Sequence, residues 1–254
     1  VAVHPRTPVI IGVGQITDRP APNATYADRP EPLDLMVSAL ERALDDTGAR
    51  DAARRALDEV VAVGSFTWHP HDPALLVAER LGISARTRLT PTGGNIPQKL
   101  VHQTSQRILA GEVNLVAVVG SEAMHAASLA RKAGHKPTWT MQGDDVARPE
   151  LVEEERVPFT AEEYTNGLTQ PVDVYPLFEN ARRARLGWSI AHQREKLGEL
   201  WHNFATVAAS NPYAWVTNAP SADQIANPST SNRMVSFPYT KLLVANLPVD
   251  MGAA

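Results

Sequence analysis

Residues 89–120, LTPTGGNIPQKLVHQTSQRILAGEVNLVAVVG, constrain the fold more than any other stretch. Thr92, Gly93, Gly94 and Asn95 form a break that glycine and small polar residues make at low cost, because glycine tolerates positive φ and close backbone approach. Pro97 suits a first helical turn, where the missing N–H is not needed. Leu100, Val101, Ile108 and Leu109 then give a partial apolar stripe between polar residues, and Ala110-Gly111 ends the helix. Val113 to Val119 is nearly all apolar and β-branched, as in a strand covered on both faces. Gly120-Ser121-Glu122 leaves that strand at its carboxyl end, where ligands of open α/β sheets gather.

The flanking chain supplies the layers. Thr7 to Gly14, TPVIIGVG, reads as a buried strand. Gly12-x-Gly14 begins like a dinucleotide fingerprint, but Thr17 stands where a third glycine belongs. Prolines at 20 and 22 also forbid an immediate helix, so a strand-and-turn role is the expectation. After a polar loop over 18–32, Leu33, Met36, Val37, Leu40 and Leu44 fall at helical spacing up to the stop at Gly48. A short helix over Ala52–Leu57 and a strand over Val60–Val63 follow. Asp72 and Pro73 then open a helix that Gly82 closes. This alternation predicts an α/β fold with a mostly parallel, layered sheet and helices on both faces. Between about 125 and 170 polar, charged and turn residues dominate. Two helices are then expected, over Tyr175–Leu186 and Ser189–Ser210, the second with Leu197, Leu200, Trp201, Phe204, Val207 and Ala208 as its apolar face.

Composition excludes several functions. With 254 residues the chain can bury one large core or two modest ones. A net charge of −4 gives no general attraction to nucleic acid or anionic membrane, so neither is an expected partner. No apolar run approaches the roughly 18 residues of a membrane span, and Val1 to Arg6 is not a secretory signal, so a cytoplasmic protein is expected. The chain has no cysteine, which removes disulfides, thiolate metal sites and thiol catalysis together.

Several short segments together resemble the thiolase superfamily, in its sterol-carrier-protein type. Ala110-Gly111-Glu112 is similar to the segment that closes the family's buried helix, and Gly120-Ser121-Glu122-Ala123-Met124 to the strand end after it. Asn211-Pro212-Tyr213-Ala214, Ser231-Asn232-Arg233-Met234-Val235 and Pro248 to Ala254 occur in the family's order. Asp250 and Met251 replace the Ser and Asp of the last pattern. The resemblance implies three parts: an α/β domain over 1–124, an inserted, largely helical loop domain over 125–240 covering an acyl-CoA, and a return strand over 241–254. It places a second α/β half, carrying a catalytic His and a second Cys, beyond Ala254, so a fragment or a partner chain is expected. It also implies a homodimer through the sheet edge near Leu89–Thr92. Acyltransfer of the acetyl-CoA acetyltransferase kind, part of lipid metabolism, is the activity implied, with coenzyme A or acyl-CoA as substrate and no covalent cofactor.

Counted back from Ala110, the family's nucleophilic cysteine falls on Gly94. The backbone N–H of Gly94 or Asn95 still suits an oxyanion hole, while Gly93-Gly94 as a plain tight turn is the alternative. A retro-aldol cleavage of a β-hydroxyacyl-CoA needs no acyl-enzyme and is the expected chemistry for a cysteine-free member. A non-catalytic acyl-CoA-binding or scaffolding subunit is the second reading, and a nucleotide-binding α/β domain a third. His125, just past Glu122, is a candidate by position, against a structural role. Arg182, Arg183 and Arg185, with Lys196, suit CoA phosphates, against a solvated helix face. His69, His71 and Asp72 suggest a metal site, but a polar loop with Asp72 as helix cap explains them better. His102 is expected as a packed core histidine, Ser121 has no nucleophile elbow, and Glu153–Glu155 reads as a solvated loop.

Overall fold

The computed structural model describes residues 4–21, 23–154 and 157–254. Val1, Ala2, Val3, Pro22 and Glu155, on which readings above fell, lie outside the described residues. The chain divides into two compact units, residues 1–155 with 247–254, and residues 156–246.

The first unit contains, in chain order, β1 (Gln15–Thr17), α1 (Pro32–Asp46), α2 (Arg50–Ala56), β2 (Glu59–Ala62), α3 (Pro73–Leu81) and β3 (Arg86–Leu89). It continues with α4 (Ile96–Ala110), β4 (Val116–Ala123), α5 (Met124–Lys132) and β5 (Glu150–Leu151). The second unit contains α6 (Ala161–Thr165), α7 (Pro171–Arg185), α8 (Ile190–Ser210), α9 (Ala222–Ala226), β6 (Met234–Ser236) and β7 (Tyr239–Thr240). β8 (Asp250–Ala253) returns the chain to the first unit.

The first unit is a layered α/β structure on a six-stranded sheet of order β1-β8-β4-β2-β3-β5. β4, β2, β3 and β5 run parallel, and β8 lies antiparallel between β4 and β1. The pleat sorts side chains into two layers. Val60 and Ala62 of β2 and Ala117 and Val119 of β4 face α1 and α3, packing with Met36, Leu40, Leu44 and Val77. Val61 of β2 and Val116 and Val118 of β4 face the other way, onto Ile96 and Leu100 of α4.

Helix ends follow the residues. Asp72 Oδ1 accepts from the Leu75 N–H at 2.8 Å and Pro73 begins α3, while Gly82 and Gly111 close α3 and α4 at φ 61° and 80°.

Three expectations change. Residues 7–14 are not a strand, and Val9, Ile10 and Val13 are 62–74% exposed. The glycines explain the path: a Cβ on Gly12 would lie 2.1 Å from the Ala43 carbonyl and one on Gly14 2.0 Å from that of Ala39, so the backbone lies directly on α1. Only at Gly14 does it join the sheet, exchanging hydrogen bonds with Ala254. Second, β3 and α5 are regular elements where no strand and only a change of pattern were read. Third, α8 buries Gln193, Leu197 and Gly198 but leaves Leu200, Phe204 and Val207 exposed. Its partner α9 is about 7 Å long against about 31 Å for α8, at 1.5 Å per residue, so it covers one stretch only. There Leu197 packs with Ile225 and Leu243. Asn232, 2% exposed, ties this unit together: its amide donates to the carbonyls of Gln224, Ile225 and Asn227, and its oxygen accepts from the Leu242 N–H.

Candidate functional site

Parallel β2, β3 and β4 end on one edge of the sheet, and the turns leaving them meet there. Gly64, two residues past β2, is in near contact with the chain after β3. A Cβ at this position would stand 2.7 Å from the Thr90 carbonyl oxygen and 2.9 Å from the Thr92 nitrogen. Only glycine allows that approach. The Thr92 hydroxyl reaches the Ser65 carbonyl at 3.4 Å. Glu122, at the end of β4, accepts from the Phe66 N–H and, at 2.7 Å, from the Thr67 hydroxyl. Its carboxylate thus holds the loop after β2 in place. Ser121 is committed elsewhere, donating to the Pro32 carbonyl at 2.8 Å.

Gly94 and Asn95 stand on this edge, at the entrance of α4, and both are exposed. A Cβ on Gly94 would meet nothing within 4 Å. No acceptor among the described residues takes either N–H, and the partial positive charge of a helix N-terminus lies behind them.

A buried ionic cluster lies on the same edge beyond β4. Asp250, fully buried at the start of β8, accepts from Arg29 at 2.6 and 3.1 Å and from the Ala126 N–H at 3.0 Å. Arg29 also pairs with Asp18 at 2.7 Å. Burial pushes the Asp18 carboxyl above its ordinary value, Arg29 opposes this, and Asp250 adds to it. The His125 Nδ1 lies 3.6 Å from Asp250, so an imidazole on the edge has a carboxylate behind it.

Comparison with known proteins fits this geometry. A monomeric SCP2-thiolase-like protein type 1 from Mycobacterium smegmatis is 31% identical over 99% of this chain and 45% of its own, with a TM-score of 0.75. The chain belongs to the thiolase superfamily. An acetyl-CoA acetyltransferase from Syntrophomonas wolfei shares the fold at 14% identity and a TM-score of 0.52, over 96% of this chain and 62% of its own. The thiolase-like chain therefore spans less than two thirds of either structure. No family model and no curated protein matches the sequence.

In this thiolase-like chain the remaining candidates are placed as follows. α4, whose family counterpart is buried, here buries only Ile96 and Leu100, and Val101 and Leu109 are exposed. His102 is exposed rather than packed, and lines a cavity of about 360 Å3 with Arg88, Gln103, Gln106, Arg107 and Val152. The edge of β3 near Leu89, expected to meet a second copy, carries β5, with Arg88 opposite Glu150 and Leu89 opposite Leu151. Glu150 pairs with Arg86 and Arg88, and Glu153 with Lys99. His71 Nδ1 lies 2.7 Å from the Val146 carbonyl, and Asp72 is spent on capping α3 and on the Thr87 hydroxyl. Among the described residues no three His, Cys, Asp or Glu side chains gather into a metal-sized group. No helix among them is long and apolar enough to cross a membrane.

In the second unit, Arg182, Arg183 and Arg185 sit in the last turn of α7. Arg182 stands 3.6 Å from Glu179 and 5.2 Å over the Trp188 ring, and Arg183 donates to the Trp188 carbonyl at 3.1 Å. Lys196 pairs with Glu199 at 2.7 Å. Arg185 is exposed. Sequence reasoning missed Glu122, Arg29 and Asp18. Glu122 was within reach of it, as a carboxylate at the end of a central strand.

Proposed function

We propose that this chain forms part of an acyl-CoA-processing protein that works without a thiol nucleophile. Its reaction is the retro-aldol cleavage of a β-hydroxyacyl-CoA. The carrying observation is the entrance of α4. Gly94 leaves open space and free N–H groups where a thioester oxygen would be met, and the chain has no cysteine to form an acyl-enzyme.

In this reaction a base takes the proton of the β-hydroxyl, and the Cα–Cβ bond breaks to release a ketone or aldehyde. The bonding pair moves onto the thioester as an enolate, whose oxygen is met by the Gly94 or Asn95 N–H. A proton then returns to Cα, giving a shortened acyl-CoA. Oxyanion donors of this kind contribute about 2.7–4 kcal/mol to such steps. His125, backed by Asp250, is this chain's own candidate for the proton transfers. Within the second unit, the arginines of α7 suit phosphate groups, and Arg185 is the least committed of them.

The same glycine favours a second reading, an acyl-CoA-binding or scaffolding subunit with no turnover. Incubating the protein with β-hydroxyacyl-CoA, and separately with acetoacetyl-CoA plus free CoA, decides between them. Release of ketone or aldehyde from the first, with nothing from the second, supports the lyase. Binding without product in either supports the subunit, and thiolysis of acetoacetyl-CoA would overturn both.

A further inference from the structure

The cavity of about 360 Å3 in the first unit lies on the α4 face of the sheet. His102, Gln103, Gln106 and Arg107 reach it from α4, Arg88 from β3, and Val152 from the chain just after β5. Spacing explains the convergence. Residues 102, 103, 106 and 107 share one flank of a helix. The pleat puts Arg88 on the same side of the sheet. It lies opposite Val61, which packs on Ile96 and Leu100, and opposite Glu150, two residues before Val152. At 1.5 Å per residue the helical lining begins about 9 Å along α4 from Ile96 and ends about 17 Å along it, away from Gly94.

Its walls offer donors. Two guanidiniums, an imidazole and two amides line it, and among the described residues no carboxylate does. The carboxylates nearby are spent or face water. Arg107 holds Glu59 with two hydrogen bonds, at 2.8 and 3.0 Å, which leaves Arg88 to meet it only at 3.4 Å. Glu150 pairs with Arg88 at 2.9 Å, but it is 47% exposed and shared with Arg86. Glu112, 3.5 Å from Arg107, is exposed. Arg88 is 14% exposed, and its Nε is buried with no hydrogen-bond partner among the described residues. The side chains of His102, Gln103 and Gln106 also make no hydrogen bond among the described residues. A buried N–H left unmet costs free energy, so Arg88 gains by turning its planar fork onto a further acceptor.

We propose that this cavity binds a small oxyanion on the Arg88 fork, with the His102 ring and the Gln103 and Gln106 amides around it. Carboxylate and phosphate share the chemistry, since an arginine fork matches the paired oxygens of either. Arg107 is committed to Glu59 and serves as a wall. Ligand pockets commonly measure about 300–1,000 Å3. The cavity is at the small end of that range, which selects a compact organic acid or phosphate over a long chain. The site does not rest on the acyl-CoA reading. A ligand held by Arg88 and the α4 side chains braces β3 against α4, so its binding stabilises the fold by linkage.

Citrate and inorganic phosphate, each against chloride at equal ionic strength, test the site by calorimetry and urea unfolding on the chain of residues 1–254. At least one should bind with a Kd below about 1 mM and raise the urea midpoint. Citrate alone marks a carboxylate site, phosphate alone a phosphate site, and both a general oxyanion site; each outcome supports the proposal. Arg88→Met should abolish binding while Arg107 keeps Glu59 paired, and Arg88→Lys, which has charge without the fork, should not restore it. His102→Ala and Gln106→Ala, at exposed positions, should each weaken binding about three- to tenfold, as loss of one hydrogen bond predicts. Lys136→Met, at an exposed lysine outside this cavity, should leave it unchanged. The proposal falls if neither anion acts beyond chloride. It falls too if the variant carrying both His102→Ala and Gln106→Ala, which leaves the buried pairs intact, binds as wild type does. An equal loss in Lys136→Met would assign the effect to general surface charge and overturn it as well.

Discussion

The two helical layers of the sheet are held by different forces. On one face, α1 buries Leu33, Met36, Leu40 and Leu44 against β2, β4 and α3. On the other, α4 buries only Ile96 and Leu100 fully, and polar contacts add to them, chief among them an ion pair with β2. Glu59, 1% exposed on β2, takes two hydrogen bonds from Arg107 of α4, at 2.8 and 3.0 Å. Apolar contact is non-directional and tolerant, while a buried bidentate pair fixes one register. The α1 face is therefore foundation. The α4 face sets where the entrance at Gly94 stands.

Breaking that pair should have the largest effect. Glu59→Ala leaves Arg107 partly buried without its carboxylate, a loss of about 3–5 kcal/mol in urea unfolding. A loss below about 1 kcal/mol would mean that α4 is held by its apolar contacts after all. Acid gives the same answer without mutation. Burial pushes the Glu59 carboxyl up, but the hydrogen bonds and charge of Arg107, with Arg88, outweigh it and hold it below its ordinary value. A depressed carboxyl stabilises the fold above its unfolded pKa, near 4.5. That contribution disappears as pH falls through the lower folded value. Unfolding titrations should show this acid-side loss in wild type and a smaller one in Glu59→Gln.

The apolar layer comes next. Leu40→Ala in α1 should cost about 2–5 kcal/mol, and Leu109→Ala, 44% exposed on α4, within about 0.5 kcal/mol. Equal losses would dissolve the contrast between the faces. Asp72→Ala ranks below Glu59→Ala and Leu40→Ala, at about 0.5–2 kcal/mol for a lost helix cap, read as a shift in urea midpoint.

The same contrast explains what could be read from the residues. Helices α1, α3 and α4 were legible because their stripes and stops are local: Leu33 to Leu44, Asp72-Pro73, Gly82, Gly111. β3 was not. Its residues Arg86, Thr87, Arg88 and Leu89 look like loop until Glu150, Asp72 and Glu59 are seen to satisfy the polar ones. Those partners lie 15–64 residues away, beyond any local pattern. Residues 7–14 failed for the opposite reason. Their apolar run implied cover on both faces, but glycine packing put the backbone on α1 and left Val9 and Ile10 bare. At the site, the carboxyl edge and Gly94 were legible from the glycine turn and the end of β4. The Asp18–Arg29–Asp250 cluster joins three distant segments and carries no short signature. The pairing of Arg182 with Glu179, three residues earlier, is by contrast a local one, at the spacing where helical charges meet.

Two glycines on the carboxyl edge sharpen the difference between scaffold and opening to one atom. Gly64→Ala drives a methyl to 2.7 Å from the Thr90 carbonyl oxygen, so backbone must shift and stability should fall by about 1–3 kcal/mol. Gly94→Cys places its Cβ in open space, and stability should change by no more than about 0.5 kcal/mol. The new thiol would be the only one in the chain, so its titration is read without background. Standing at a helix N-terminus, it should ionise below the ordinary value of about 8.5. Thiol reactivity followed against pH measures this. A thiol with an ordinary or raised pKa would mean that the α4 entrance exerts no pull on negative charge. The oxyanion role given to Gly94 and Asn95 would then have no physical basis, whatever the fold of the surrounding sheet.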